Sequence, residues 1–304
     1  MDEKKILFIA YLYPPVGGKG LPGVQRTVKF VRYLQEMEPS VLTLKTERYP
    51  EFFPTDNRVA LPINQETVIR TGTIDIFRLL LKLKGAAGSF LRKQEPATLN
   101  PQQPTANNQQ PTTSNQQASL FTRLKDMVSD FFTFPDYAHP WIIPAIWQGR
   151  KAVKEENISV IFATGMPWSS LVVGWVIKTL TGAKLITDFR DPWVNNPFAT
   201  DKGALKKMTE RYLEEKIVTT SDIVSLNTDE LRKDFVQRYP SLNKDKFVTL
   251  VNGYDEGDFK GIYAEKTEAS GDGLLMTHAG FLYGLRDPKP ILEAVGKMRE
   301  QNPQ

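Results

Sequence analysis

Short apolar runs recur along this chain, each long enough for one buried strand, and most are separated from the next by a helix-length segment. Lys4-Lys5-Ile6-Leu7-Phe8-Ile9-Ala10 is the first, and residues 41–44, 68–71, 160–163, 184–187, 223–226 and 247–250 follow. Continuous apolar runs suit strands covered on both faces. Their alternation with helices predicts an α/β fold with a doubly wound parallel sheet.

At 304 residues and 40% hydrophobic content, the chain has the composition of a soluble globular protein, and two domains are expected. It has no cysteine, which excludes disulfides, thiolate metal sites and cysteine nucleophiles. No apolar run reaches the roughly 18 residues of a membrane span, and no apolar leader is visible, so the expected location is cytoplasmic. The formal net charge of +4 and pI near 9.0 suit phosphate-bearing ligands or an anionic lipid surface. That charge falls short of a nucleic-acid-binding signature, and no nucleic acid is expected as a partner.

The first domain is expected to span residues 1–254. Within it, residues 94–118 are almost wholly Gln, Asn, Pro and Thr, a composition that reads as a disordered insertion. Before the insertion, residues 74–93 mix Ile, Phe and Leu with Arg78, Lys82, Lys84, Arg92 and Lys93. Such a segment is either an ordinary amphipathic helix or a basic one that touches anionic membrane. Residues 255–273 are polar and glycine-rich and read as a linker. Beyond them, residues 274–278 predict a strand, 279–284 a loop and 288–300 a helix, the opening of a second domain that is not carried through.

Ligands of open α/β sheets bind at the carboxyl ends of strands, so the residues that follow each strand carry the chemistry. Pro14-Pro15-Val16-Gly17-Gly18 precedes a helix whose apolar positions are Val24, Val28, Val31 and Leu34. Gly17 and Gly18 either turn the backbone toward phosphate oxygens or sugar hydroxyls, or serve only as a tight turn. His139, in Phe134-Pro135-Asp136-Tyr137-Ala138-His139-Pro140-Trp141, is either a general base or sugar ligand, or a structural histidine. Thr164 stands at the end of a strand, ahead of Ser169 and Ser170, which are placed to cap the next helix.

The sharpest signal is Asp188-Phe189-Arg190-Asp191-Pro192-Trp193, in which Asp188, Arg190 and Asp191 fall at the end of an apolar strand. Charges there pair with each other or face a cleft. Arg190 can grip a carboxylate with two prongs, and either aspartate can orient or deprotonate a hydroxyl. Val251-Asn252-Gly253-Tyr254-Asp255 reads as an Asn-Gly turn at a hinge.

These motifs, in this order and together with His278-Ala279-Gly280-Phe281-Leu282-Tyr283-Gly284-Leu285-Arg286-Asp287-Pro288, resemble the family-4 glycosyltransferases of the GT-B fold. The resemblance spans most of the chain. It implies two Rossmann-like domains: an acceptor-side domain followed by the first β-α unit of a nucleotide-sugar domain. It implies a metal-independent, retaining transferase with no cofactor, using a nucleoside diphosphate sugar as donor and a glycan or glycolipid as acceptor at the inner face of the cytoplasmic membrane. Asp188, Arg190, Asp191 and His139 would be catalytic. Gly17, Gly18, Thr164, Asn252, Gly280 and Arg286 would bind substrate, with Arg286 neutralising the diphosphate. Gly165-Met166-Pro167 stands where several members carry a His-Glu-Pro type motif. Two other readings are a non-catalytic, acceptor-binding or partner-binding descendant of such an enzyme, and a different Rossmann enzyme, against which the absence of the Gly-x-Gly-x-x-Gly fingerprint argues.

Overall fold

The computed structural model describes residues 4–17, 22–55, 61–74, 134–196, 203–261, 276–280, 282 and 287–301. The expected insertion at 94–118, the basic segment from 75 to 93, Gly18 and Arg286 lie outside the described residues. Described residues up to Tyr254 form one compact unit, and those from Asp255 onward a second.

The first unit is a seven-stranded, all-parallel sheet in the order β3-β2-β1-β4-β5-β6-β7. Its strands are β1 (Lys5–Ile9), β2 (Glu38–Leu44), β3 (Thr67–Thr71), β4 (Val160–Gly165), β5 (Lys184–Phe189), β6 (Ile223–Leu226) and β7 (Phe247–Thr249). The sheet is therefore of the Rossmann-like, doubly wound kind, and its order reverses between β1 and β4. Helix α1 (Pro22–Tyr33) follows β1, α2 (Ile142–Glu155) leads into β4, and α3 (Ser169–Thr181) joins β4 to β5. Helices α4 (Ala204–Thr220) and α5 (Asp229–Arg238) precede β6 and β7.

Alternation along the strands feeds two apolar cores, as a sheet covered on both faces requires. Ile6, Phe8, Val41 and Phe162 face Val24, Val28 and Val31 of α1. Leu7, Ile9, Leu42, Ile161 and Leu185 face the other way, onto Ala145 and Val153 of α2, Leu171 and Ile177 of α3, and Ile217 and Val218 of α4. Helix α3 approaches β4 closely because Gly174 lacks a side chain. A Cβ there would lie 2.6 Å from that of Ala163.

The second unit holds a short 3-10 turn (Glu256–Phe259), an irregular stretch at 276–280, and helix α6 (Lys289–Gln301). The strand expected at 274–278 is not formed at its described residues, 276–278, which are exposed; a lone strand without a partner leaves its backbone groups to water. The Asn-Gly turn is corrected as well. Residues 250–255 carry no turn, because the backbone there is drawn back to the first helix, as described next.

Candidate functional site

Thr164 of β4, Asp188 of β5 and Ser225 of β6 are register partners on adjacent strands, so their side chains form one polar row across the carboxyl half of the sheet. Asp188 Oδ2 accepts from Thr164 Oγ1 at 2.8 Å, and Oδ1 accepts from Ser225 Oγ at 3.0 Å. Above this row lies Arg26 of α1. Its Nε and Nη2 donate to Oδ2 and Oδ1 of Asp188 at 3.1 and 2.8 Å. The same guanidinium reaches Leu250 O at 2.7 Å and Asn252 Oδ1 at 2.8 Å, and its Cζ sits 4.6 Å from the Phe30 ring centroid.

The Asp188 side chain is 0% exposed and that of Arg26 4% exposed. With four donors on its two oxygens, this carboxylate has its acceptor sites filled from within the domain. It positions Arg26, and through it Leu250 and Asn252. The sequence leads one to expect Asp188 to orient or deprotonate a hydroxyl; the partners its oxygens have here are Arg26, Thr164 and Ser225.

Arg190, just past β5, makes a two-pronged contact, but not with a carboxylate as expected. Its Nε and Nη2 donate to the carbonyls of Gly165 and Met166, the turn between β4 and α3. The guanidinium rests against the first turn of α1. A Cβ on Gly23 would overlap Arg190 Nη1, so glycine is required there while the arginine keeps this pose. Burial pulls the guanidinium below its ordinary pKa, and the carboxylates of Asp188 and Asp191 oppose that pull. Asp191 itself is exposed.

The loop after β1 is held from several sides. Pro54 O accepts the Gly17 amide at 3.0 Å, so this N–H is engaged within the fold and not offered to a phosphate. Arg70 donates to Pro14 O, and Tyr13 donates its hydroxyl to Glu66 at 2.9 Å. Tyr49 donates to Tyr11 O at 2.7 Å.

The expected capping by Ser169 and Ser170 is replaced by a remote cap. Asp136 accepts the Ser169 amide at 3.0 Å on Oδ2 and the Ser169 hydroxyl at 2.7 Å on Oδ1, while Ser170 Oγ accepts the Tyr11 amide at 3.4 Å. Burial pushes the Asp136 carboxyl up, against the pull of hydrogen bonds from Ser169, Ala138 and Trp168.

His139 opens the 3-10 turn (His139–Trp141) ahead of α2, and its Nδ1 lies 3.1 Å from Asp136 O. A carbonyl only accepts, so this contact puts a proton on Nδ1, and in the neutral ring Nε2 is the acceptor. Beside it, Tyr11 meets the rings of Tyr49, Tyr137 and Trp141 edge-on at 5.5–5.8 Å, and Phe53 lies 6.0 Å from Tyr137. Tyr137 and Phe52 are more than a third exposed and give this corner an aromatic rim. Burial raises the phenols of Tyr11 and Tyr137, and neighbouring Asp136 raises them further.

Arg26, Thr164, Asp188, Arg190 and Asn252 thus gather at the carboxyl edge with the Gly165-Met166 turn, and His139 with the aromatic corner stands over the same edge at β1 and β3. Gly280 belongs to the second unit, where it is exposed with φ 145°. Arg26 escaped the sequence reading because it falls off the Val24, Val28, Val31 stripe. The signal available was an isolated Asp188 inside an apolar strand, which needs a cation from elsewhere. Aromatic faces and a histidine ring beside them suit a ligand that stacks and hydrogen-bonds at once. By contrast, an open depression of about 530 Å³ lined by Lys154, Asn157, Ser159, Thr181, Gly182 and Lys184 lies at the amino ends of β4 and β5, away from these groups.

Among the described residues no cluster of three or more histidine or acidic side chains is arranged to hold a metal, and no helix is long and apolar enough to cross a membrane.

No family model matches the chain. Over 145 residues it is 25% identical to a D-inositol 3-phosphate glycosyltransferase of Corynebacterium efficiens, a match covering 45% of this chain and 34% of the relative. It is 27% identical over 144 residues to the protein of the same description from Corynebacterium diphtheriae, again 45% of this chain and 34% of the relative. The matched stretch therefore spans about a third of the length of these curated relatives. Among solved structures, Acinetobacter baumannii MurG aligns with a TM-score of 0.35 and 9% identity, over 84% of this chain and 47% of that one.

Proposed function

We propose that this chain belongs to a GT-B type glycosyltransferase that moves a sugar from a nucleoside diphosphate sugar to a glycan or glycolipid acceptor, and that residues up to 254 form its acceptor side. The reading is carried by the likeness to two glycosyltransferases in a chain whose polar and aromatic groups gather at the switch point of a doubly wound sheet, where such folds bind ligands.

In this reading an acceptor hydroxyl lies against the Tyr137 rim within reach of His139 Nε2. Its oxygen forms a bond to the anomeric carbon on the same face from which the diphosphate leaves, as the bond from that carbon to the diphosphate breaks. His139 takes the hydroxyl proton, and the nucleoside diphosphate departs with the electron pair. Arg190 fixes the Gly165-Met166 turn that borders the reacting groups, and the Arg26–Asp188 pair keeps Asn252 in place. On the donor side, Gly280 and Arg286 are proposed to meet the diphosphate, so that positioning and a fixed cation replace a metal ion, with retention at the anomeric carbon. A lipid-linked acceptor sets the reaction at the inner face of the cytoplasmic membrane, in the assembly of cell-surface polysaccharide.

The test is to incubate the purified protein with a panel of nucleoside diphosphate sugars and a lipid extract, following nucleoside diphosphate release and label transfer, with NAD titrated in parallel. Sugar-dependent release that needs the extract is the expected result. Binding of NAD, with no sugar nucleotide bound or consumed, overturns the reading in favour of another Rossmann enzyme.

A further inference from the structure

Two helices on one face of the first unit carry large apolar side chains outward. On α2, Trp147 is 67% exposed and Ile143 48%. On α4, Met208 is 63% exposed, Tyr212 54% and Leu205 53%. Both helices cover the same face of the sheet, with α3 between them. Single exposed apolar residues are ordinary, but a two-thirds exposed tryptophan in line with an isoleucine, with a second such row across α3, marks this face.

The basic residues fall in register with these rows. At about 100° per residue, Ile143, Trp147, Arg150, Lys151 and Lys154 share one side of α2, within an arc of about 100°. All five are exposed. On α4, Lys216 continues the line of Leu205, Met208 and Tyr212, with its Nζ 5.4 Å from the Tyr212 ring centroid. The acids of α4 that would oppose a negative surface are partly removed from it, since Glu210 and Glu214 are buried. Glu215 and Glu155 stay outside, the latter 3.8 Å from Lys151.

Direction makes the two rows agree. Each helix runs back toward the amino end of the next parallel strand, so each starts at the carboxyl edge. The bond from Trp141 Nε1 to Thr71 Oγ1, 2.7 Å, ties the start of α2 to the end of β3. The apolar residues therefore lie nearest the edge that holds the candidate site, and the cations lie behind them. A bilayer surface has the same order, an apolar interior behind a layer of phosphates, and tryptophan and tyrosine favour the boundary between them.

We propose that the outer face of α2 and α4 docks on an anionic lipid bilayer with its carboxyl-edge end leading, so that Ile143, Trp147, Met208 and Tyr212 enter the headgroup boundary and Arg150, Lys151 and Lys216 lie against lipid phosphates. The proposal rests on these exposed residues and not on sugar transfer. Lipid binding needs neither donor nor acceptor, so either idea can fail alone.

The test is flotation of the full chain with vesicles of phosphatidylcholine alone and of phosphatidylcholine mixed with phosphatidylglycerol. Binding is expected only to the mixed vesicles and is weakened as salt rises from about 0.1 M to about 1 M, which shortens the screening length from roughly 10 Å to roughly 3 Å. R150E and K151E each lower the partition by about fivefold or more, and W147S by about tenfold. K244E, an exposed charge reversal in the turn before β7, leaves it unchanged, and thermal unfolding confirms that the surface variants fold. Absence of binding to the mixed vesicles overturns the proposal. So does binding that W147S and R150E leave intact, or a W147-dependent dimer in the ultracentrifuge that ignores lipid.

Discussion

Arg26 and Asp188 face each other across the α1 side of the sheet with two hydrogen bonds at 2.8 and 3.1 Å, both side chains withdrawn from water. An ion pair so placed is worth little compared with apolar residues of the same size, but breaking it leaves a bare buried charge. Asp188→Ala is expected to lower stability by about 3–5 kcal/mol, measured by urea unfolding, with loss of function following from loss of fold. The double variant R26M/D188L is expected to be more stable than either single one. Equal instability in all three would mean that the charge pair is not what the singles lose.

Gly23 and Arg190 are coupled by space. Gly23→Ala and Arg190→Ala are expected to give the same outcome by opposite routes, since one pushes the guanidinium off the Gly165 and Met166 carbonyls and the other deletes it. Both should speed hydrogen exchange at residues 165–169 and reduce transfer by about tenfold or more, with stability falling by only about 1–2 kcal/mol. A Gly23→Ala variant with unchanged exchange in that turn would contradict the coupling.

Asp222 sets an acid limb. Burial pushes its carboxyl up, but hydrogen bonds from Lys178, the Leu185 amide and Lys184 outweigh that and bring it to about 2. The folded pKa thus lies below the unfolded value of about 3.9, so the contribution is present above pH 4 and is lost as pH falls toward 2. With its side chain 29% exposed, the effect is discounted for solvent screening to about 1 kcal/mol. Urea midpoints at pH 5 and pH 2.5 should converge in Asp222→Asn relative to the unaltered protein.

Trp193 is fully buried and stacked on Trp168 at 5.1 Å, and its indole N–H has no hydrogen-bond partner among the described residues. Trp193→Phe keeps a ring against Trp168 and removes the unsatisfied donor. The expected change in the urea midpoint corresponds to less than about 1 kcal/mol, whereas Trp193→Ala costs about 3–5 kcal/mol.

The strands of the first unit were legible because a parallel strand buried on both faces reads as an uninterrupted apolar run, and every run from residue 4 to residue 250 became one. The apolar run of β5 stops at Thr187, where the charges of Asp188, Arg190 and Asp191 begin. The strand in fact continues to Phe189, and Arg26 makes the charge tolerable there. That partner is 162 positions away, beyond the reach of local pattern. A still longer separation hid the fate of Asn252, where Asn-Gly signals a turn and a distant arginine holds the backbone out of one. Capping went the same way, because the carboxylate at the start of α3 comes from Asp136, 33 positions earlier. Local periodicity placed the elements, and long-range polar contacts decided what each charged residue does.

Arg26 emerges early in synthesis and Asn252 late, 226 positions apart. At about 5–20 residues per second, the ribosome takes roughly 10–45 s to make the intervening stretch. For that interval the nascent α1 carries an arginine whose last partners do not yet exist, so this carboxyl edge cannot be completed before residue 252 has been made.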